Sequence, residues 1–248
     1  MTVDKNINLP NLHIYQTPED LANKFADQLM NWVQNHSEKT FHLAISGGKT
    51  PDLLFSVLAS KYADSSLWQK IHFWWVDERM VSPGNQESNF GVAHQLLFSK
   101  ISIPEENIHR IKGENTPGTE ALSYSVQIQE NLPQQDGWPV FDLILLGMGD
   151  DGHTASIFPD QMDLLNSMHI CEVATQPQNG QKRVTLTGKT ISSASKVCFL
   201  VTGSNKAERL SEIWNNPGKA NLLPAAHIHP VNGNLMWFVD ESAVQFLK

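Results

Sequence analysis

The sequence predicts an open, doubly wound α/β fold with a mainly parallel sheet and helices on both faces. Short apolar runs alternate with helical patterns along the chain. Several of those runs are apolar at consecutive rather than alternate positions, as suits strands covered on both faces. Each run ends in turn residues, which is the βα rhythm of such a sheet. At 248 residues the chain is expected to form one large domain, 1–248, with a sizeable core. Residues 1–11, with Asp4, Asn6 and Asn8 and no apolar run, read as a loose leader.

The first helix should start at Thr17-Pro18-Glu19-Asp20, which supplies a capping hydroxyl, a proline at the first helical position and two early acids. Leu21, Phe25, Leu29, Trp32 and Val33 then follow the three-to-four spacing of one buried face, ending near His36 and Ser37. Strands are expected over 41–45, 71–76, 141–146 and 197–201, with helices over 51–60, 88–98, 119–131 and 205–214. A further strand is read around Arg183, at 181–187. The segments 112–118 and 133–139 read as turn-rich loops, and no internal repeat marks a second unit.

Composition excludes several classes. A hydrophobic fraction of 40% and a charged fraction of 18% argue against a disordered or fibrous chain. The formal net charge of -8 repels nucleic acid at long range. No apolar window is long enough to span a bilayer, so no membrane partner is expected and the expected address is cytoplasmic. The only cysteines, Cys171 and Cys198, sit in apolar strand-like stretches and read as core residues rather than metal ligands. Core is also the reading for the seven tryptophans. A monomer or small homo-oligomer is expected.

In a doubly wound sheet, ligands gather beyond the carboxyl ends of the strands, where strand order reverses. Polar clusters that follow apolar runs are therefore the candidate site. The first is Ser46-Gly47-Gly48-Lys49-Thr50-Pro51, a glycine turn opening a helix, whose free amides suit a phosphate although the spacing is not that of a P-loop. The second is Asp77-Glu78-Arg79, charges emerging directly from Phe73-Trp74-Trp75, as either a site or a solvated strand end. The strongest is Gly147-Met148-Gly149-Asp150-Asp151-Gly152-His153, in which an acid and a histidine stand two apart in a glycine-rich turn. An imidazole, with an ordinary pKa of about 6.5, suits proton transfer at neutral pH, and a carboxylate beside it orients it. Arg183 and Lys206 are two further cations placed to hold an anion; Lys206 lies where Gly203-Ser204 opens a helix.

A dinucleotide site is a weak alternative. Gly147, Gly149 and Gly152 fit Gly-x-Gly-x-x-Gly, but Pro159 interrupts the long helix that should follow. No Gly-x-Ser-x-Gly elbow supports a serine hydrolase.

With Ser-Gly-Gly-x-Thr-Pro at 46–51, Asp-Glu-Arg at 77–79, Gly-Met-Gly-x-Asp-Gly-His-Thr-Ala-Ser-x-Phe-Pro at 147–159, Arg-Val-Thr-Leu-Thr at 183–187 and Leu-Pro-Ala-Ala at 223–226, in that order, the chain resembles the glucosamine-6-phosphate isomerase/6-phosphogluconolactonase family, on its lactonase side. The resemblance implies a Rossmann-like fold of that family's type. It also implies hydrolysis of 6-phospho-D-glucono-1,5-lactone to 6-phospho-D-gluconate, the second step of the oxidative pentose phosphate pathway, with no metal and no organic cofactor. On it, His153 is the general base with Asp151 its partner. Ser46, Gly47, Gly48, Lys49, Thr50, Arg183 and Lys206 hold the phosphate, while Asp77 and Arg79 contact the ring or the developing oxyanion. The family carries a small residue where this chain has Lys49.

Two rivals remain. The deaminase branch shares the Asp-Gly-His turn but continues Asn-Glu-Pro, whereas this chain has Phe158, which cannot transfer a proton. A non-catalytic sugar-phosphate sensor would keep the binding turn without the chemistry; the presence of both Asp151 and His153 speaks against it.

Overall fold

The computed structural model describes residues 11–231 and 233–247; of the leader at 1–11, all but Asn11 lies outside them. Along the first half of the chain the elements are β1 (Leu12–Tyr15), α1 (Pro18–Asn35), β2 (Phe41–Ile45), α2 (Lys49–Tyr62), β3 (Ile71–Trp75), β4 (Asp77–Arg79), α3 (Asn89–Leu96), β5 (Ile108–His109) and α4 (Pro117–Asn131). The second half adds β6 (Gln134–Gln135), β7 (Trp138–Pro139), β8 (Leu143–Leu146), β9 (Cys171–Thr175), β10 (Lys182–Leu186), α5 (Gly188–Ser192), β11 (Lys196–Val201), α6 (Ala207–Asn215), α7 (Pro217–Ala220) and β12 (Asn234–Asp240). Short 3₁₀ turns fill several connections, and no helix among the described residues is long and apolar enough to cross a membrane.

Seven strands form one wholly parallel sheet in the order β1-β12-β11-β8-β2-β3-β5. From β2 the chain steps outward through β3 to β5. It then crosses back to β8 on the other side of β2 and steps outward again through β11 and β12. Right-handed crossovers taken in opposite directions send helices to opposite faces, which makes the sheet doubly wound as expected. Strand order reverses between β2 and β8, so the Ser46–Thr50 turn and the Gly147–His153 turn leave neighbouring strands at the switch point.

The four expected strands are present, and β2 and β8 are buried at every position, as a strand covered on both faces must be. Helix α1 begins where its cap predicts: Thr17 Oγ1 accepts the Asp20 amide at 3.1 Å. Leu21, Phe25, Leu29 and Val33 are fully buried on its inner face, and Trp32 packs at the margin of that face. Trp68, Trp74, Trp75 and Trp237 are buried, as are both cysteines; burial pushes the Cys171 thiol up to about 12.

Two readings need correction, and one that was open is narrowed. The segment 133–139 is a small hairpin, β6–β7, closed by Asp136 and Gly137, both at positive φ (52° and 81°), the backbone that a tight two-residue hairpin turn requires. The segment 112–118 already contains the first two residues of α4, with Pro117 at its start. The open one is Asp77-Glu78-Arg79, read as either a site or a solvated strand end; the structure disfavours the solvated end. At Val76 the chain leaves the main sheet, its N–H bonded to Ile45 O (3.0 Å) and its carbonyl receiving Leu186 N–H (2.7 Å). It then continues as β4 in a second, antiparallel sheet, β4-β10-β9. The two sheets meet at this step, so Asp77 and Glu78 are buried there and Arg79 is half-buried.

Candidate active site

A cleft of about 680 Å³ opens over the carboxyl ends of β2, β8 and β11. Its wall includes Ser46, Gly47, Gly48, Lys49, Thr50, Asp77, Arg79, His153, Arg183 and Lys206, so ten of the eleven expected site residues converge. The eleventh, Asp151, stands behind His153, off the wall, and meets the imidazole from outside.

The turn after β8 is built to present that imidazole. Gly149 N–H bonds the His153 carbonyl (2.9 Å), Thr154 Oγ1 bonds Gly147 O (2.9 Å), and a Thr154–Ile157 bridge closes the far side. Asp151 Oδ1 accepts the His153 backbone N–H at 3.0 Å and lies 2.6 Å from His153 Nδ1. A carboxylate oxygen can only accept, so this contact favours the tautomer that carries its proton on Nδ1. Partial burial raises the Asp151 pKa, but the hydrogen bond and charge of His153 outweigh it and hold the carboxyl at about 2. Beneath the imidazole lies buried Phe158, centroid to centroid 4.8 Å, with the Arg183 guanidinium 5.6 Å from the same ring. The position where the deaminase branch carries an acid is therefore an apolar floor.

The turn after β2 is held by Ser46, whose Oγ donates to Leu145 O on β8 (2.8 Å). The Ser46 proton is committed there, leaving its hydroxyl only as an acceptor toward the cleft. Gly48 caps α2 at φ 120°, a backbone favoured by glycine, with open space where a Cβ would project. Thr50 Oγ1 meets Thr202 Oγ1 at 2.7 Å, tying this turn to the one after β11. Lys49 is exposed, and its side chain makes no hydrogen bond or ion pair among the described residues. After β11, the Gly203 amide is taken by Asp240 Oδ1 (2.9 Å), and the Lys206 ammonium is bonded to Asp150 Oδ1. That bond, foremost, lowers the pKa of Asp150.

The second sheet supplies the remaining wall. Arg79 on β4 and Arg183 on β10 are direct cross-strand partners, so their side chains leave the same face. Both Nε atoms are buried without a hydrogen-bond partner. Arg79 uses one terminal nitrogen on Glu87 O (2.8 Å). Burial lowers the pKa of Arg183, which Asp77 opposes and Arg79 reinforces.

Three residues that shape the site were not among the expected site residues, although Glu78 stands in the Asp77-Glu78-Arg79 cluster. Glu78 is 1% exposed and accepts the Arg79, Asn89 and Phe90 amides at 2.7–2.8 Å and Ser88 Oγ at 3.0 Å, clamping the start of α3. Burial raises its pKa and those amides oppose the rise. Asn89, so placed, lines the cleft and donates to the Asp77 carbonyl at 2.9 Å. It presses so closely on Gly47 that a Cβ there would lie 1.9 Å from its Oδ1. Ser156, fully buried, bonds Asp77. It lay in view within the motif at 147–159, and Asn89 closed the polar loop that begins at Ser82. Among the described residues, no group of three or more His, Cys, Asp or Glu side chains has the arrangement of a metal site.

The fold and the switch-point cleft define an α/β protein with an imidazole–carboxylate pair set beside cationic side chains. The chain belongs to the glucosamine-6-phosphate isomerases/6-phosphogluconolactonase family, whose model matches residues 16–237. It is 43% identical to 6-phosphogluconolactonase of Aggregatibacter actinomycetemcomitans over 94% of this chain and 98% of that one. The crystal structure of devB protein superposes with a TM-score of 0.91 at 42% identity, covering 96% and 99% of the two chains. The 6-phosphogluconolactonase from Trypanosoma brucei gives 0.84 at 25% identity, covering 97% and 99%.

Proposed function

We propose that the protein hydrolyses 6-phospho-D-glucono-1,5-lactone to 6-phospho-D-gluconate, with His153 activating the attacking water. The observation that carries this is the coincidence, in one cleft, of the His153 imidazole, backed by Asp151, with the side chains of Arg79 and Arg183. Two guanidinium groups on one cleft wall suit an anionic ligand, and a phosphorylated, oxyanion-forming substrate is one. Likeness to named lactonases across nearly the whole chain supports the same reading.

In this scheme His153 Nε2 takes a proton as water attacks the C1 carbonyl. Asp151 keeps the other nitrogen protonated and stabilises the imidazolium that forms. The tetrahedral oxyanion is held by the guanidinium field of Arg79, and Asp77 receives a ring hydroxyl. When the C1–ring oxygen bond breaks, the imidazolium returns its proton to the leaving oxygen, and the open-chain acid ionises. The phosphate is held by the Gly47–Thr50 turn, Arg183 and Lys206. Base and oxyanion assistance are worth roughly 10²–10⁴-fold and 10²–10³-fold, ample for a lactone that already opens in water.

The experiment sets the two branches of the family against each other. Fresh lactone should be opened well above its spontaneous rate, while glucosamine 6-phosphate should release no ammonia. Ammonia release without lactone turnover would overturn the reading.

A further inference from the structure

Asp77 and Ser156 lie 79 positions apart in sequence, yet Ser156 Oγ is 2.6 Å from Asp77 Oδ2. Ser156 is fully buried and Asp77 is 5% exposed, so neither group exchanges this bond for water. The same hydroxyl accepts from Arg183 NH1 at 3.3 Å, and that nitrogen stands 3.7 Å from Asp77 Oδ2. One carboxylate oxygen is thus engaged twice, by the hydroxyl and by the guanidinium. Among the described residues the other, Oδ1, has only Asn89 Nδ2, at the long distance of 3.5 Å. The serine is fixed in turn: its N–H bonds Thr185 Oγ1 at 3.1 Å, and Ala155 before it takes φ 48°. This backbone lies three residues beyond His153, so the turn that carries the imidazole also reaches across to the second sheet.

We infer that Ser156 is a positioning residue: its hydroxyl locks the Asp77 carboxylate with Oδ2 turned inward and Oδ1 free as the acceptor for a substrate hydroxyl. A carboxylate rotates freely about its Cβ–Cγ bond unless one oxygen is held, and a buried hydroxyl donor holds it without adding charge. The same hydroxyl registers Arg183 against Asp77. Ser156 touches no substrate and acts through Asp77, so removing it should matter only while Asp77 is intact.

This rests on the lactonase reading, and a double-mutant cycle separates the two. Ser156→Ala, Asp77→Asn and the double variant are compared with wild type for kcat/KM on fresh lactone and for the Kd of 6-phosphogluconate. Melting temperatures confirm folding. Ser156→Ala should lower kcat/KM roughly 10- to 100-fold, the size expected for one hydrogen bond to a charged group. Added to Asp77→Asn, it should cost no more than about twofold further. If Asp77→Asn is too slow to follow, the Kd values complete the cycle. Equal losses in both backgrounds, or wild-type behaviour of Ser156→Ala, would overturn the inference and leave the lactonase reading standing. Absence of turnover in the wild type would overturn both.

Discussion

Arg79 and Arg183 face each other across adjacent antiparallel strands, β4 and β10, two like charges in direct cross-strand register with an unpartnered Nε on each. Like charges so placed work against the sheet. On the proposed function, an anion between or beside them makes the arrangement useful. Arg79→Met should therefore raise the melting temperature of the free protein by about 1–3 °C, from the roughly 0.2–1 kcal/mol such pairs cost. The same change should lower kcat/KM at least about tenfold and reduce the stabilisation given by 6-phosphogluconate. A variant both less stable and fully active would contradict this assignment.

Gly149 leaves room for the pair that holds the proposed base. A Cβ built there would lie 2.2 Å from His153 Nδ1 and 2.7 Å from Asp151 Oδ1. Gly149→Ala should leave the fold intact, since the turn is at the surface of the cleft, but drive imidazole and carboxylate apart. A loss of kcat of about 10²-fold with little change in KM is expected. Steady-state kinetics alongside a far-ultraviolet spectrum checks it.

Lys206 and Lys49 both line the cleft but stand differently. Lys206 is half-buried and already paired with Asp150, whereas Lys49 is exposed and unpaired among the described residues. A charge-assisted bond to phosphate from a sheltered ammonium is worth about 1.5–3 kcal/mol. Lys206→Ala should raise KM roughly 10- to 100-fold with kcat little altered. Lys49→Ala should change KM by less than about threefold, because an exposed cation is screened. Comparison of the two KM values decides which lysine holds the phosphate.

Away from the cleft, His42 on β2 and His109 on β5 are buried around Trp74. The His109 ring is stacked on the Trp74 indole at 3.9 Å, and His42 Nδ1 accepts the indole N–H at 3.2 Å. Burial, reinforced by the charge of His72 nearby, pushes both down to about 4. In the unfolded chain they take up protons near pH 6.5, about the ordinary histidine value. Between those values the unfolded state binds more protons than the folded one. Stability is therefore full above about pH 6.5, falls as pH drops toward 4, and this contribution levels off below. Urea unfolding should show a loss of roughly 1–3 kcal/mol per histidine across that window, flattened in His42→Gln. A slope unchanged in that variant would contradict the assignment.

The sequence made the central strands and the reactive turn legible because their signals are local. β2 is a short run that is apolar at every position but His42, and Asp151 and His153 stand two residues apart in a glycine-rich turn. Long-range pairing was not legible. β12, an apolar run at 235–239, went unread, although it pairs with both β11 and β1. β1 itself is a four-residue edge strand without an apolar signature, and β5 has only two residues. Asp77-Glu78-Arg79 stayed open between a site and a charged strand end because nothing near them announces that β10 will receive the chain in a second sheet. For the same reason the Arg79–Arg183 register, the Ser156–Asp77 bond and the Glu78 clamp on α3 emerge only from the fold.

That His153 acts as the base in lactone opening is tested most directly by the rate of 6-phosphogluconolactone hydrolysis. The lactone is generated in place by a coupled dehydrogenase, and wild type and His153→Ala are compared after subtraction of the spontaneous rate. A wild-type rate far above background, falling about 10²-fold or more in the variant, is the expected result. A variant as fast as the wild type would remove His153 from the chemistry. A wild type no faster than water would remove the lactonase reading itself.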